Sequence, residues 1–281
     1  MTHPLLSPNH VAVITGGASG IGLAAAHRFA GLGMRVCIVD RDRERLAAAR
    51  AELEGLAGAE AVMTSDTDVS SRVAVEALAN EVFSRWGAVH VLLDNAAIQP
   101  GSAVFGAAST WEAILSINLG GIIHVGQVFG ERMADSGEPG LIVVTGSKQG
   151  ITTPPGDPAY NVAKAGVKAF AEALQHELRN REGGRVEARL LIPGFVFTNL
   201  TKGERVEKPA GAWTAEELVD FLMDKLETDD FYILCPDNDV DRKTDEKRIA
   251  WAAGDIIENR PPLSRWHPAW ADKFKTWMAR S

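Results

Sequence analysis

Short apolar runs alternate along this chain with longer stretches in which apolar positions recur at helical spacing. Seven runs are too short for a helix, and they are continuous enough to be buried on both faces of a sheet. They span residues 11–15, 35–40, 61–64, 89–94, 141–146, 186–192 and 231–235. The stretches 24–30, 43–53, 73–86, 111–133, 159–179 and 215–226 are predicted to be helices. This alternation predicts an α/β fold: one doubly wound Rossmann-type domain, with a seven-stranded parallel sheet flanked by helices.

The end of the chain has a different composition. Four of the seven tryptophans lie in the last 31 residues, and Pro261 and Pro262 interrupt any helix there. We therefore divide the chain into a catalytic, nucleotide-binding domain at 1–258, with a substrate lid at about 199–226, and a C-terminal extension at 259–281. The extension is predicted to be an extended arm with a short terminal helix. Its aromatic side chains should pack on its own domain or on a neighbouring subunit.

The overall charge narrows the class of partner. With 37 acidic and 29 basic residues, the formal net charge is −8, which argues against nucleic acid or an anionic membrane as the main partner. No apolar run approaches the roughly 18 residues needed to cross a bilayer, and the first ten residues lack the basic start of a secretory signal. Cys37 and Cys235 are far apart and are expected to be reduced. A cytoplasmic location follows as the expectation.

Metal-binding patterns are incomplete. The seven histidines lack a recognisable ligand spacing. The segment 237–241 begins like a calcium loop, but Arg242 and Arg248 stand where a glycine and a glutamate would be required. No metal is predicted, and this segment is interpreted as a turn that leads into a helix.

A glycine-rich turn follows the first predicted strand. Residues 15–22 read Thr-Gly-Gly-Ala-Ser-Gly-Ile-Gly and lead directly into a helix. Glycines allow a tight turn and a close approach of a pyrophosphate, and the helix N-terminus offers free N–H groups to the phosphates. We therefore predict a dinucleotide-binding turn in which the contacting residues are Gly16, Ser19, Gly20, Ile21 and Gly22.

Acidic residues follow the second and third strands. Asp40 ends the second strand, where a carboxylate can accept hydrogen bonds from ribose hydroxyls and repel a 2′-phosphate, so the predicted cofactor is NAD. Arg41 and Arg43 leave NADP open, since arginines near this strand end can accommodate a 2′-phosphate. Asp68, with Val69, is placed to contact the adenine, although a turn or capping role for Asp68 is the alternative.

An acid–base pair lies at the start of the helix 159–179. Tyr160 and Lys164 are four residues apart, which places them on one face of the helix. A phenol has a pKa of about 10, and a nearby ammonium, together with the positive nicotinamide ring of the oxidised cofactor, favours its ionised form. Ser147, thirteen residues before Tyr160 at the end of the fifth strand, could hold the substrate oxygen while Tyr160 transfers the proton.

These motifs resemble those of the short-chain dehydrogenase/reductase family, in order, from about residue 9 to residue 200. Further segments match as well. Asn95-Ala96-Ala97 is similar to the family's N-A-G segment, Asn118 to its helix asparagine, and residues 193–198 to its P-G-x-V-x-T loop beside the nicotinamide. Ala97 stands where glycine is usual. Lys148-Gln149 follows the serine, where smaller residues are commoner, and this difference bears on substrate choice.

The resemblance implies specific roles. Tyr160 would be the general acid–base, and Lys164 would lower its pKa and bind the ribose. Ser147 would polarise the carbonyl or alcohol, and Asn118 would hold a water in a proton relay behind Lys164. The cofactor would also contact Asn95, Ala96, Ala97, Tyr160, Lys164, Pro193, Gly194, Val196 and Thr198. Members of the family are commonly dimers or tetramers, so a homo-oligomer, with a homotetramer as one form, is expected.

The predicted activity is hydride transfer between NAD(H) and a small-molecule secondary alcohol or ketone. Candidate residues of the substrate pocket are Ile98, Gln99, Lys148, Gln149 and Phe195. A catalytically silent nucleotide-binding scaffold or sensor is the alternative from another class, and such a protein should have lost its tyrosine, lysine or serine. An NAD-retaining epimerase or dehydratase is a third hypothesis. Those enzymes usually have a different glycine spacing and a larger C-terminal substrate domain.

Overall fold

A seven-stranded parallel sheet forms the centre of the molecule. The computed structural model describes residues 3–279, so residues 1–2 and 280–281 of the predicted domain and extension lie outside it. The strands are β1 (Val11–Thr15), β2 (Arg35–Val39), β3 (Val62–Ser65), β4 (Val91–Asp94), β5 (Gly140–Thr145), β6 (Val186–Ile192) and β7 (Tyr232–Leu234). Their order is β3-β2-β1-β4-β5-β6-β7, and every pair is parallel. The predicted fold class is confirmed. The chain reverses its direction of growth between β1 and β4, which is where such sheets bind ligands.

Helices cover both faces of the sheet. They are α1 (Gly20–Gly31), α2 (Arg43–Ala57), α3 (Arg72–Trp86), α4 (Ala108–Leu115), α5 (Ile122–Asp135), α6 (Gln149–Thr152), α7 (Pro158–Asn180), α8 (Ala215–Leu226), α9 (Arg242–Ile257) and α10 (Ala271–Ala279). The predicted helix 111–133 is in fact α4 and α5, joined by the π-helical segment Ser116–Gly121. Helix α1 starts earlier than predicted, since the glycines of the turn form its first turn despite their low helix propensity.

Successive side chains of each strand enter two different hydrophobic layers. In β1, Ala12 and Ile14 pack with α1, α2 and α8, while Val11 and Val13 pack with α3 and α5. Phe29 of α1 and Phe129 of α5 are fully buried in the two layers. Burying each phenyl ring contributes about 1.5–3 kcal/mol. The strands are therefore buried on both sides, and their carboxyl ends remain the accessible edge.

Two regions differ in detail from the prediction. Helix α8, placed in the lid, packs on α1 through the buried Leu218 and Leu222 and belongs to the core. Only the irregular part of the predicted lid, residues 199–213, stays a prediction as a lid. A β-bridge between Val196 and Trp213 holds the two ends of this segment together. The segment before the terminal helix contains 3₁₀ turns, at Ser264–Trp266 and Pro268–Trp270, instead of an extended chain.

The C-terminal extension packs on α9 of its own chain. The ring of Trp251, on α9, lies against those of Trp270, Phe274 and Trp277, at centroid separations of 6.3, 5.3 and 5.8 Å. The Arg260 guanidinium lies 4.1 Å from the Trp251 ring centroid. The tryptophan cluster therefore fixes the extension to the catalytic domain.

One helical span, Ala108–Asp135, is long and apolar enough by composition to cross a membrane. About half of its most apolar window (56%) is buried inside the structure. The span packs on the sheet and on α7, as expected for a core helix.

Candidate active site

The glycine turn between β1 and α1 depends on its glycines for steric reasons. Gly16 and Gly20 have φ angles of 64° and 53°, in the left-handed region that favours glycine. A Cβ at Gly22 would lie 2.2 Å from the Gly16 carbonyl oxygen. The turn brings the first N–H groups of α1 to the carboxyl edge of the sheet, where they can bind an anion.

A cleft of about 790 Å³ opens above this turn, at the point where the strand order reverses. Most of the predicted cofactor residues line it: Gly16, Ser19, Gly20, Ile21, Asp40, Asp68, Val69, Asn95, Ala96, Ala97 and Thr198. The others do not line it: Gly22, Tyr160, Lys164, Pro193, Gly194 and Val196. Leu200, from the predicted lid segment, and Ile117, to which no sequence signal pointed, also line the cleft. Its size and position fit an extended dinucleotide.

Asp40 lies at the far end of this cleft. Its carboxylate accepts hydrogen bonds from the backbone N–H groups of Ala18 (3.3 Å) and Asp42 (3.2 Å), which hold it beside the glycine turn. The neighbouring arginines are paired with other carboxylates, Arg41 with Asp68 at 3.3 Å and Arg43 with Asp66. The arginines therefore point to acidic partners, and Asp40 is the acceptor at the position expected for the ribose.

Asp68 has the turn role that the sequence left open. Its carboxylate accepts hydrogen bonds from the backbone N–H (2.9 Å) and the hydroxyl (2.7 Å) of Ser70. These bonds and the Arg41 pair hold the pKa of Asp68 below its usual range, although burial opposes them. Because the residue also lines the cleft, contact with an adenine stays a prediction.

Three of the four predicted catalytic side chains, those of Ser147, Tyr160 and Lys164, come together behind the cleft. Tyr160 and Lys164 are both buried on α7, with the Lys164 Nζ 5.8 Å from the centroid of the tyrosine ring. The Ser147 hydroxyl accepts the N–H of Gln149 at 3.1 Å, and it lies near enough to Tyr160 to lower the pKa of the phenol. The Lys164 ammonium donates to the Thr145 carbonyl oxygen at 2.8 Å. Strand β5 and helix α7 therefore position a hydroxyl, a phenol and an ammonium at one place.

Burial dominates the acid–base properties of this group. It raises the pKa of Tyr160 to about 12, and the nearby Ser147 hydroxyl only partly offsets this rise. Burial also lowers the pKa of Lys164 to about 8, with Asp94 acting in the opposite direction. Tyr160 is therefore a protonated phenol, poised as an acid. The expectation that Lys164, together with the nicotinamide ring of the oxidised cofactor, favours the phenolate stays a prediction.

Asn118 lies in the π-helical segment. Its side chain accepts the N–H of Ile98 (2.8 Å) and donates to the carbonyl oxygen of Ile98 (2.7 Å). Both ends of the amide are therefore used to fix the chain that follows β4, at the wall of the cleft. π-Helical turns are often found at functional sites. A water held by Asn118 stays a prediction, and its backbone would have to supply the contact.

Asp94, at the end of β4, was not singled out in the sequence. It is fully buried; its Oδ1 accepts from the Thr15 hydroxyl at 3.1 Å, while its Oδ2 has no hydrogen-bond partner within residues 3–279. Burial raises the pKa of Asp94 well above its usual range, against the effects of Thr15 and Lys164. The sequence feature that could have identified Asp94 is a single carboxylate at the end of an otherwise apolar run.

We expect Asp94→Asn to stabilise the protein near neutral pH, by about 1–3 kcal/mol, because the folded wild type must keep its buried carboxyl protonated while the unfolded carboxyl is ionised. As pH rises through about 4, the unfolded carboxyl ionises while the folded one stays protonated, so the wild type loses stability relative to the variant. Denaturant unfolding of both proteins at acidic and neutral pH checks this. A constant difference between the proteins at every pH would contradict it.

The predicted substrate residues separate into two groups. Gln99 lines the cofactor cleft, and its amide donates to Asp157 (3.2 Å) and Gln149 (3.4 Å), close to Tyr160. The Lys148 ammonium instead lies between Asp237 (3.3 Å) and Asp245 (2.6 Å). Of the other two, Ile98 lines the cleft and the ring of Phe195 lies under the Arg205 guanidinium. Lys148 therefore joins β5 to the region after β7.

The loop after β6 also depends on this ion pair. A Cβ on Gly194 would lie 2.8 Å from the Lys148 Nζ and 2.5 Å from the Asp237 Oδ2, and Asp237 also accepts the N–H of Phe195 at 3.2 Å. The loop 193–198, which contains Val196 and Thr198, is therefore held against Lys148 and Asp237. Metal-binding groups of three or more His, Cys, Asp or Glu side chains do not occur among residues 3–279.

The fold and this site define a nucleotide-binding α/β domain with an acid–base group at the carboxyl edge of its sheet. Residues 10–209 match the family model described as short chain dehydrogenase. The chain is 32% identical to 1-deoxy-11-beta-hydroxypentalenate dehydrogenase of Streptomyces avermitilis, over 85% of this chain and 89% of that protein.

Solved structures agree with this assignment. A short-chain dehydrogenase/reductase of Burkholderia phymatum in complex with NAD has a TM-score of 0.81 and 30% identity, covering 91% of this chain and 96% of that one. An alcohol dehydrogenase of the archaeon Thermococcus sibiricus, complexed with 5-hydroxy-NADP, has a TM-score of 0.73 and 26% identity, covering 83% and 98%. This chain belongs to the short-chain dehydrogenase/reductase family, a family of oxidoreductases.

Proposed function

We propose that this protein transfers hydride between NAD(H) and a secondary alcohol or ketone, with Tyr160 as the general acid–base. The observation that supports this most is that the buried Tyr160 and Lys164 lie with Ser147 beside a cleft whose size fits a dinucleotide. A scaffold would have no use for two ionisable groups held in the interior, because burial of each of them is costly. The dehydrogenases named above support the same class of reaction.

The residues present fit a nicotinamide cofactor. The glycine turn leaves room for a pyrophosphate at the N-terminus of α1, and Asp40 offers a carboxylate to the ribose. When bound, the nicotinamide supplies the site that donates or accepts hydride. Asn95 links β4 to β1, because its backbone N–H and its amide donate to Thr15, and it thereby fixes the floor of the cleft.

Proton transfer follows from the geometry of the polar groups. In reduction, the phenol of Tyr160 donates its proton to the substrate oxygen, while the Ser147 hydroxyl holds that oxygen in place. In oxidation the deprotonated form of Tyr160, the phenolate, takes the proton from the substrate hydroxyl. The raised pKa of this phenol favours the protonated form, so oxidation requires added positive charge nearby, from the Lys164 ammonium and the oxidised nicotinamide ring.

The preference for NAD over NADP rests on Asp40. We expect the wild type to bind NADH at least about 10-fold more tightly than NADPH, and Asp40→Ala to lose most of this preference, because charge-assisted hydrogen bonds to the ribose and repulsion of the 2′-phosphate are removed. Fluorescence titration with both cofactors measures the ratio. Glu54→Ala, which removes a carboxylate that pairs with Arg50 on α2 and does not line the cleft, is the matched control and should keep the preference. Tighter binding of NADPH by the wild type would contradict this assignment.

For assembly and location, our proposals are a homo-oligomer, a dimer or a tetramer, that acts in the cytoplasm on a small molecule. The assembly proposal is supported by β7, which pairs with β6 only, among the described strands, and leaves one edge open. Tyr232 on this strand is half exposed. Unpaired strand edges are usually covered in a native protein.

A further inference from the structure

A second cavity lies next to the catalytic serine, between α6, α9 and the C-terminal extension. Its volume is about 280 Å³. One part of the wall is apolar, formed by Ile151, Leu234, Ile249 and Trp266. The other part carries three cations, Lys148, Arg248 and Arg265, and the carboxylate of Asp245. This combination of an apolar wall and a basic wall is suited to a ligand with an anionic head and a short apolar body.

The positive charge is only partly neutralised. The Lys148 ammonium forms ion pairs with Asp245 at 2.6 Å and with Asp237 at 3.3 Å. Within the described range 3–279, neither Arg248 nor Arg265 has a carboxylate within 4.0 Å. The Arg248 Nε is buried and has no hydrogen-bond partner there. A buried guanidinium N–H without an acceptor is costly, and a bound oxyanion would supply the acceptor.

The two guanidiniums also act on each other. The pKa of Arg265 is lowered, first by burial and then by the positive charge of Arg248, while Asp245 opposes both. The Arg265 guanidinium is held in place by the rings of Trp266, at 4.7 Å, and Phe274, at 5.3 Å. The extension therefore presents a fixed cation to the cavity, opposite a second cation on α9. An anion between them would relieve their repulsion.

The cavity wall continues into the catalytic group. Lys148 and Gln149, which line the cavity, directly follow Ser147, and the Gln149 N–H donates to the Ser147 hydroxyl. One substrate could therefore hold its reacting oxygen at Ser147 and Tyr160 and its remote end in the cavity. The C-terminal extension, which lies beyond the matched family segment 10–209, supplies Arg265.

We infer that the cavity is an anion subsite formed by Arg248 and Arg265, and that the substrate is an alcohol or ketone that carries a carboxylate on a short apolar chain. The part that concerns the substrate rests on the proposed function. The part that concerns the subsite does not, because it requires only that a carboxylate binds to the two guanidiniums. This binding energy, far from the reacting carbon, would orient the oxygen towards Tyr160.

Isothermal titration calorimetry with hexanoate and with its neutral isostere hexanamide tests the subsite without turnover. We expect hexanoate to bind the wild type at least about 10-fold more tightly than hexanamide, and Arg248→Gln or Arg265→Gln to weaken hexanoate binding at least about 10-fold. Arg242→Gln is the matched control, because Arg242 is on the same helix but pairs with Glu246 at the surface. It should leave hexanoate binding unchanged.

A kinetic comparison of levulinate and methyl propyl ketone, in NADH-dependent reduction, then tests the substrate class. The ratio of their kcat/KM values should favour levulinate and fall at least about 10-fold in Arg265→Gln. Equal binding of hexanoate and hexanamide by the wild type would overturn the subsite, whatever the variants do. Hexanoate binding without reduction of any ketone would instead uphold the subsite and contradict the proposed reaction. Reduction of both ketones with equal efficiency would overturn the substrate class alone.

Discussion

Tyr160→Phe is expected to lower kcat by about 100- to 10,000-fold, the range over which a positioned general acid–base contributes. The reason is chemical: the phenylalanine ring fills the same buried space, but the substrate oxygen loses its proton donor. Steady-state kinetics with the best ketone found, monitored through NADH oxidation, measures the effect.

Two controls separate chemistry from structure in that experiment. NADH should bind the variant nearly as tightly as the wild type, because the cleft is lined by other residues. Tyr232→Phe, which changes the other of the two tyrosines and removes a hydroxyl bound to Glu172 at 2.5 Å, should keep full activity. A Tyr160→Phe variant with wild-type kcat would contradict the assignment of the general acid.

Lys164→Met is expected to have opposite effects on activity and on stability. Activity should fall at least about 100-fold, because the ammonium that supports the phenolate and the ribose is removed. The free energy of unfolding near neutral pH should rise by roughly 1–3 kcal/mol, because a fully buried ammonium is replaced by an apolar chain. The lost hydrogen bond to the Thr145 carbonyl oxygen limits this gain.

The stability difference between the wild type and Lys164→Met should depend on pH. The pKa of Lys164 is lowered to about 8, below that of a lysine in the unfolded chain. Below that pH both states are protonated, and the wild type bears the full cost of burying the charge. Between about 8 and the ordinary lysine pKa of about 10.4, the unfolded state binds more protons, so wild-type stability rises with pH and the advantage of Lys164→Met shrinks.

Lys168→Met, one turn further along α7, is the matched control. Lys168 is partly exposed and pairs with Glu172 at 2.7 Å, so the substitution should change neither activity nor stability by much. Thermal unfolding of the three proteins at several pH values completes the measurement. A Lys164→Met variant less stable than the wild type near neutral pH would contradict the idea that burial of this ammonium is costly.

The fold could be predicted from the sequence because its strands are buried on both faces. In such strands the apolar run is nearly as long as the strand itself, and β1 and β6 match their predicted bounds. Helix α9 was expected only as a helix start after the turn at 237–241, since its pattern is largely polar. Its apolar contacts are concentrated at Trp251, within the aromatic cluster.

The candidate site could be predicted where its function depends on residues that are close together in the sequence. The glycine spacing and the Tyr160–Lys164 pair depend on local backbone geometry, which a sequence displays directly. The ion pairs of Lys148 could not be predicted, because Asp237 and Asp245 follow it by 89 and 97 residues and meet it only through the packing of the chain after β7. The raised pKa of Tyr160 could not be predicted for a similar reason. The sequence shows the neighbouring Lys164 charge, but it does not show how deeply the phenol is buried.

The central claim, hydride transfer from a nicotinamide, is tested most directly with NADH that carries deuterium at both positions of the reactive ring carbon. The protein is incubated with this cofactor and a panel of neutral and carboxylate-bearing ketones, and the products are analysed by mass spectrometry. We predict one deuterium in each alcohol formed, bound to the former carbonyl carbon, and loss of this product in Tyr160→Phe. Tight binding of NADH with no deuterium transferred to any ketone would contradict the account and favour the nucleotide-binding scaffold.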